Sequence, residues 1–232
     1  MTSLFGVPVD AAYHLVTALT AVLTPVLGGL AAVAGIILIT VAVRLLVLPL
    51  SFRAMRGQAI QARLAPQLQE LRKRYGKQPE RLQREMTALY QREGTSMFAG
   101  FGPVLVQAPF LSVMYLLFRS PRIGAKPNQL LTHDLLGVPL GMHWLGGTGV
   151  VSVQGAVFVG VFALLAVLCW LLARAARAVL PAPAAAAGGL GRVIPYITVV
   201  FAAFAPLAAG LYLVTSTGWA VLERRLYRHL QD

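Results

Sequence analysis

The sequence predicts an all-α membrane protein: five transmembrane helices, a cytoplasmic helical hairpin and an N-terminal interfacial helix. Three observations carry this. Of 232 residues, 57% are hydrophobic and 12% charged, with a mean hydropathy of +0.71, so there is too little charged surface to cover a water-soluble core. The charges gather in a few segments separated by apolar runs of the ~20 residues that cross a bilayer. The basic excess, a net charge of +12, lies beside those runs, where cytoplasmic loops carry Arg and Lys, so no DNA partner is expected.

Residues 1–28 hold the interfacial helix. There Ala12, Leu15, Val16, Leu19, Val22 and Leu23 recur at spacings of three and four, while Asp10, His14, Thr17 and Thr24 fall elsewhere. Asp10 is the sole charge before Arg44, which is not the basic start of a secretory signal, and no cleavage is expected. The five-span core occupies 29–232. Its first span, 30–50, is interrupted by Thr40 and Arg44.

Residues 51–95 hold ten basic side chains against four acidic ones and are expected in the cytoplasm. Leu64, Leu68, Leu71 and Tyr75 form one helical stripe and Leu82, Met86, Leu89 and Tyr90 another. Gly76 between them is expected to stop one helix and Pro79 to start the next, giving the hairpin. The second span, 97–118, carries Pro103 and Pro109 around Gln107. An outer loop, 119–150, offers Leu130, Leu131, Leu135, Leu136 and Trp144 to the headgroup region.

The third span, 151–173, has no charge at all. Arg174, Arg177 and Arg192 bracket an Ala/Pro/Gly stretch, 181–189, with the composition of a flexible linker. The last apolar region divides into spans 193–207 and 209–223 for two reasons. Pro206 and Gly210 supply a break, and two crossings keep Arg224, Arg225 and Arg228 on the side of the linker arginines. Sixteen basic residues then lie inside and three outside (Arg119, Arg122, Lys126), which sets the N-terminus outside and the C-terminus in the cytoplasm. Arg far exceeds Lys amid abundant Ala and Gly, a composition that suggests a GC-rich bacterial genome and hence the bacterial plasma membrane.

Catalytic, metal and cofactor chemistry find little support. His14, His133, His143 and His229 have no ligand spacing, Cys169 is a lone cysteine, and no Gly-rich phosphate loop occurs. Arg44 is the sharpest feature, since a charge in a span costs from about 2.5 to over 10 kcal/mol. Two readings are open. Arg44 lies roughly 9 Å along the helix from Leu50 and its side chain can snorkel toward the headgroups; or, with Thr40 one turn away and Gln107 in the next span, it lines a polar cavity. No acidic residue is placed in the interior of a span, Glu223 being the last residue of the fifth, so Arg44 is expected to lack a counter-ion and to need water. The same absence weighs against a proton- or sodium-coupled carrier, and the spans lack the His an intramembrane protease would use.

Several segments together resemble the YidC/Oxa/Alb membrane-protein insertase family. They are the run 44–49 (Arg-Leu-Leu-Val-Leu-Pro), the hairpin's Leu64-Ala-Pro-Gln-Leu68, the Tyr90–Gly94 exit, the second-span run 102–109 (Gly-Pro-Val-Leu-Val-Gln-Ala-Pro) and the segment 206–216. The resemblance runs from about Ile36 to Arg225. It implies a hydrophilic groove open to the cytoplasm and closed outside, with Arg44 at the family's arginine position. Thr40, Gln107, Ser216 and the aromatic Tyr212 would line it. The chain departs from the pattern at Leu213, where a second aromatic often stands, and at Thr217, where Asn is common. The implied function is non-enzymatic insertion and folding of nascent membrane proteins. Anionic lipids, the ribosome, the signal recognition pathway and the Sec translocon are candidate partners; a small transporter or channel and an assembly scaffold are the competing classes.

Overall fold

The computed structural model describes residues 6–96, 102–124, 126–146, 152–177 and 196–230. They form seven α-helices: α1 (Gly6–Leu27), α2 (Ala31–Tyr75), α3 (Pro79–Arg92), α4 (Gly102–Arg119), α5 (Val153–Arg177), α6 (Ile197–Phe204) and α7 (Leu207–His229). Two helical stretches are long and apolar enough to cross a membrane, Gly6–Tyr75 and Val153–Ala175. The chain is a predominantly helical membrane protein.

The first span and the first hairpin arm, separate in the sequence reading, are one helix of 45 residues. Pro49 and Pro66 lie inside it without ending it. At about 1.5 Å per residue it is about 67 Å long, more than twice the ~30 Å of a bilayer's hydrocarbon, so one half must stand clear of that layer. The basic composition of 51–75 selects that half.

α3 folds back along it. Gly76 ends α2 in a right-handed helical conformation, φ −60°, not the left-handed one that a glycine stop usually takes. Close approach is what requires glycine here, because a Cβ would lie 2.6 Å from the Arg72 carbonyl oxygen. Pro79 opens α3 in its first turn, where its missing N–H costs nothing. Arg63 of α2 forms an ion pair with Glu93 just beyond α3, which ties the open end of the hairpin.

α7 is the packing centre and touches α2, α4, α5 and α6. α1 lies on α2 and α4, and a Cβ at Gly35 would come within 3.0 Å of Thr20 Oγ1, so glycine sets that approach. One apolar core joins Val9, Tyr13 and Val16 of α1 with Ile36, Leu117, Phe118, Phe158, Leu207 and Tyr212.

The segment after α4 is more ordered than a loop resting on headgroups. It forms two small antiparallel ladders, β1 (Arg122–Ile123) with β2 (Lys126–Pro127) and β3 (Asp134–Leu135) with β4 (Val138–Pro139). Buried Asn128 organises it, its amide donating to the carbonyls of Leu117 at 2.8 Å and Ser120 at 3.0 Å. Leu130 belongs to the core whereas Leu136 is 72% exposed, so the leucines assigned to headgroups divide between two environments. The break between α6 and α7 falls at Ala205 and Pro206, both extended; Gly210, the other residue expected to supply a break, lies within α7. There the Leu207 N–H donates to Met142 O and the Ala208 N–H to Leu140 O, each at 2.9 Å. The capping segment thus satisfies donors that a helix start leaves open. The start of the second span (97–101), the linker 181–189 and the start of the fourth span (193–195) lie outside the described residues.

Candidate functional site

Packing of α2 on α7 brings four of the five sequence-selected residues together. Arg44 is 7% exposed, Ser216 1%, Tyr212 1% and Thr40 not at all. Arg44 Nη2 donates to Ser216 Oγ at 2.5 Å and to the Ser216 carbonyl at 3.3 Å. Tyr212 lies one turn earlier on α7 and stacks edge-on against Phe110 of α4 at 5.6 Å. The Thr40 hydroxyl donates to Ile36 O at 2.7 Å, so its proton serves its own helix and only its lone pairs face the site. Gln107 is on α4, and its side chain lies outside the described residues.

Among the described residues, buried Arg44 Nε has no hydrogen-bond partner, and buried Tyr212 Oη makes no hydrogen bond of good geometry although the Ser216 hydroxyl lies beside it. Leaving such a group unpaired costs roughly 1–3 kcal/mol. Tyr212 also lines a cleft of about 310 Å³ between α4, α6 and α7, with Leu111, Tyr115, Phe201, Ala209 and Leu213. Tyr212 therefore belongs both to the polar site and to a mainly apolar cleft.

The structure adds a buried carboxylate to this face: Glu223, assigned to the edge of the last span, is only 6% exposed, and among the described residues no ion pair joins it to Arg44 directly. Its Oε1 accepts from the Trp219 indole N–H at 2.6 Å, and Ser51 of α2 faces the same carboxylate. The residue separation of 172 between Arg44 and Ser216 recurs between Ser51 and Glu223. Two parallel helices in one register repeat such levels, and Glu223, seven residues after Ser216, returns to the same face after two turns. Glu223, Trp219 and Ser51 were not selected from sequence; the spacing 216, 219, 223 was the available signal.

A family model described as 60Kd inner membrane protein matches residues 22–231. The chain belongs to this family. Among curated relatives, the membrane protein insertase YidC of Marinobacter nauticus is 40% identical over 102 residues, 44% of this chain and 18% of that protein. YidC of Chlamydia caviae is 40% identical over 86 residues, 37% of this chain and 11% of that protein. The membrane protein insertase MisCA of Bacillus subtilis is 38% identical over 85 residues, 35% of this chain and 33% of that protein. These matches take in at most a third of the relatives' own length. The resemblance to the YidC/Oxa/Alb family is borne out by them, and they point to a bacterial membrane.

Proposed function

We propose that this chain is a membrane protein insertase, which integrates and folds newly made membrane proteins through a hydrophilic site centred on Arg44. Its architecture is a five-span bundle with the N-terminus outside, the C-terminus in the cytoplasm, α1 as the interfacial helix and α2/α3 as the cytoplasmic hairpin. The supporting observation is the burial together, between α2 and α7, of the Arg44 guanidinium, whose Nε is unpartnered among the described residues, with the hydroxyls of Tyr212 and Ser216. Such a place favours a transient polar guest.

The physical problem for a client is dragging a polar or acidic tail through hydrocarbon. Arg44 attracts acidic groups of that tail, and Gln107, Thr40, Tyr212 and Ser216 offer polar contacts that shorten the dry path. The adjoining apolar cleft beside Tyr212 gives the client's hydrophobic segment a route along α4 and α7 into lipid, driven by partitioning without nucleotide hydrolysis. The basic hairpin is suited to anionic lipid headgroups and is the surface on which we place the ribosome and targeting factors; a Sec translocon is a further candidate partner.

The test is rescue of a strain depleted of its own insertase, using a single-span client with an acidic N-terminal tail. The unaltered chain is expected to restore insertion, Arg44→Lys to keep part of it, and Arg44→Ala to lose at least about tenfold, roughly 1.4 kcal/mol. Full rescue by Arg44→Ala would refute the cationic-site mechanism. In vesicles holding only this protein, solute flux without client insertion would favour a channel, and a requirement for the fold alone would favour a scaffold.

A further inference from the structure

Glu223 is a buried carboxylate that the insertion mechanism does not use. It is 6% exposed, held from one side by the Trp219 indole N–H at 2.6 Å and faced from α2 by Ser51. Along the same face of α7, two turns earlier, Ser216 holds Arg44. Among the described residues no ion pair joins Arg44 to Glu223 directly; Ser216, which holds Arg44, and Glu223 share one face of α7, about 10 Å apart along the helix axis. Among the described residues, Arg224 is a further charged group beside this level; its guanidinium points to α5 and donates to Leu172 O at 3.3 Å.

We propose that Glu223 is a specificity-determining residue: a fixed counter-charge that weakens the attraction of Arg44 for acidic client tails, so that tails are sorted by how much negative charge they carry. This rests on the insertase reading above. A client carboxylate approaching Arg44 meets a guanidinium whose field is already partly opposed. Tails with one acidic group or none are held lightly and pass on, and strongly acidic tails are disfavoured. The carboxylate keeps its place because Trp219 and Ser51 hold it two turns from Ser216, too far to neutralise Arg44 outright.

The probe is a single-span peptide with a photoreactive tail residue, carrying either no aspartate or two in that tail. It is presented to the full chain in vesicles of phosphatidylethanolamine and phosphatidylglycerol, and crosslinking to the chain is the readout. Glu223→Gln keeps an acceptor for the Trp219 N–H while removing the charge. It is expected to raise the ratio of two-aspartate to uncharged capture roughly fivefold. Glu223→Met removes the charge on a side chain of similar length and is expected to give the same rise. Adding Arg44→Ala to Glu223→Gln should abolish the rise, since the coupling runs between these two groups. An unchanged ratio, including equal loss of both probes, overturns the inference, as does a rise that survives Arg44→Ala. Capture of neither probe by the unaltered chain overturns the insertase reading and this inference with it; capture without a shift in ratio overturns this inference alone.

Discussion

Arg44 has five N–H donors, and the structure pairs Nη2 with Ser216 while Nε stays unmatched. The two α7 residues beside it should therefore respond to mutation in opposite ways. Ser216→Ala removes a charge-assisted bond and leaves a buried guanidinium less satisfied. It is expected to lower unfolding stability in detergent by about 1.5–3 kcal/mol, read as a fall in melting temperature. Tyr212→Phe removes a hydroxyl that makes no hydrogen bond of good geometry among the described residues and keeps the edge contact with Phe110. Its melting temperature is expected to hold or rise while crosslinking of an acidic-tail client falls; a Tyr212→Phe protein less stable than Ser216→Ala would show that the hydroxyl is satisfied. Arg44 was legible in the sequence because a charge in an apolar run needs a reason. Glu223 was not, because beside Arg224, Arg225 and Arg228 it reads as part of a solvated tail. Its meaning lies in the register of α7 against α2, a tertiary quantity that no local spacing on one helix contains.

Among the elements, periodicity located the helices and proline chemistry located some of their ends. Pro79 and Pro206 mark real boundaries. Pro49 and Pro66 do not, since a proline in a long helix can be carried when tertiary packing or solvent takes up the lost bond. The ladders after α4 were illegible because their burial depends on residues far along the chain: Leu140 and Met142 are fixed by the start of α7. The hairpin turn gives an expected outcome at this scale. Gly76→Ala places a Cβ 2.6 Å from the Arg72 carbonyl oxygen, backbone that cannot swing away, so the last turn of α2 must shift. Faster trypsin cleavage at Lys77 than in the unaltered chain is expected, with the melting of the α2–α7 contact unchanged because the turn is remote from it. Equal cleavage rates would mean that the turn absorbs the methyl group.

At the scale of the molecule, the open question was whether the last apolar region crosses once or twice, which length alone does not decide. α7 begins against the segment that follows α4, through Leu207 to Met142 and Ala208 to Leu140. From Leu207 to Arg225 the helix advances about 27 Å, close to the thickness of a hydrocarbon layer. Arg225 thus stands a bilayer's depth from the capping segment, which favours a final crossing distinct from α6 and agrees with the basic residues concentrated at that end. Cys169 is 2% exposed, so in a Cys169→Ser background single cysteines can report sidedness without interference. Thr132→Cys, exposed on the capping segment, is expected to react with a membrane-impermeant maleimide in intact cells. Gln83→Cys on the hairpin and Arg225→Cys at the end of α7, both exposed, are expected to react only after permeabilisation. Labelling of Arg225→Cys together with Thr132→Cys in intact cells would require a single crossing for the last region, and would separate the basic end of α7 from the hairpin whose charge it shares.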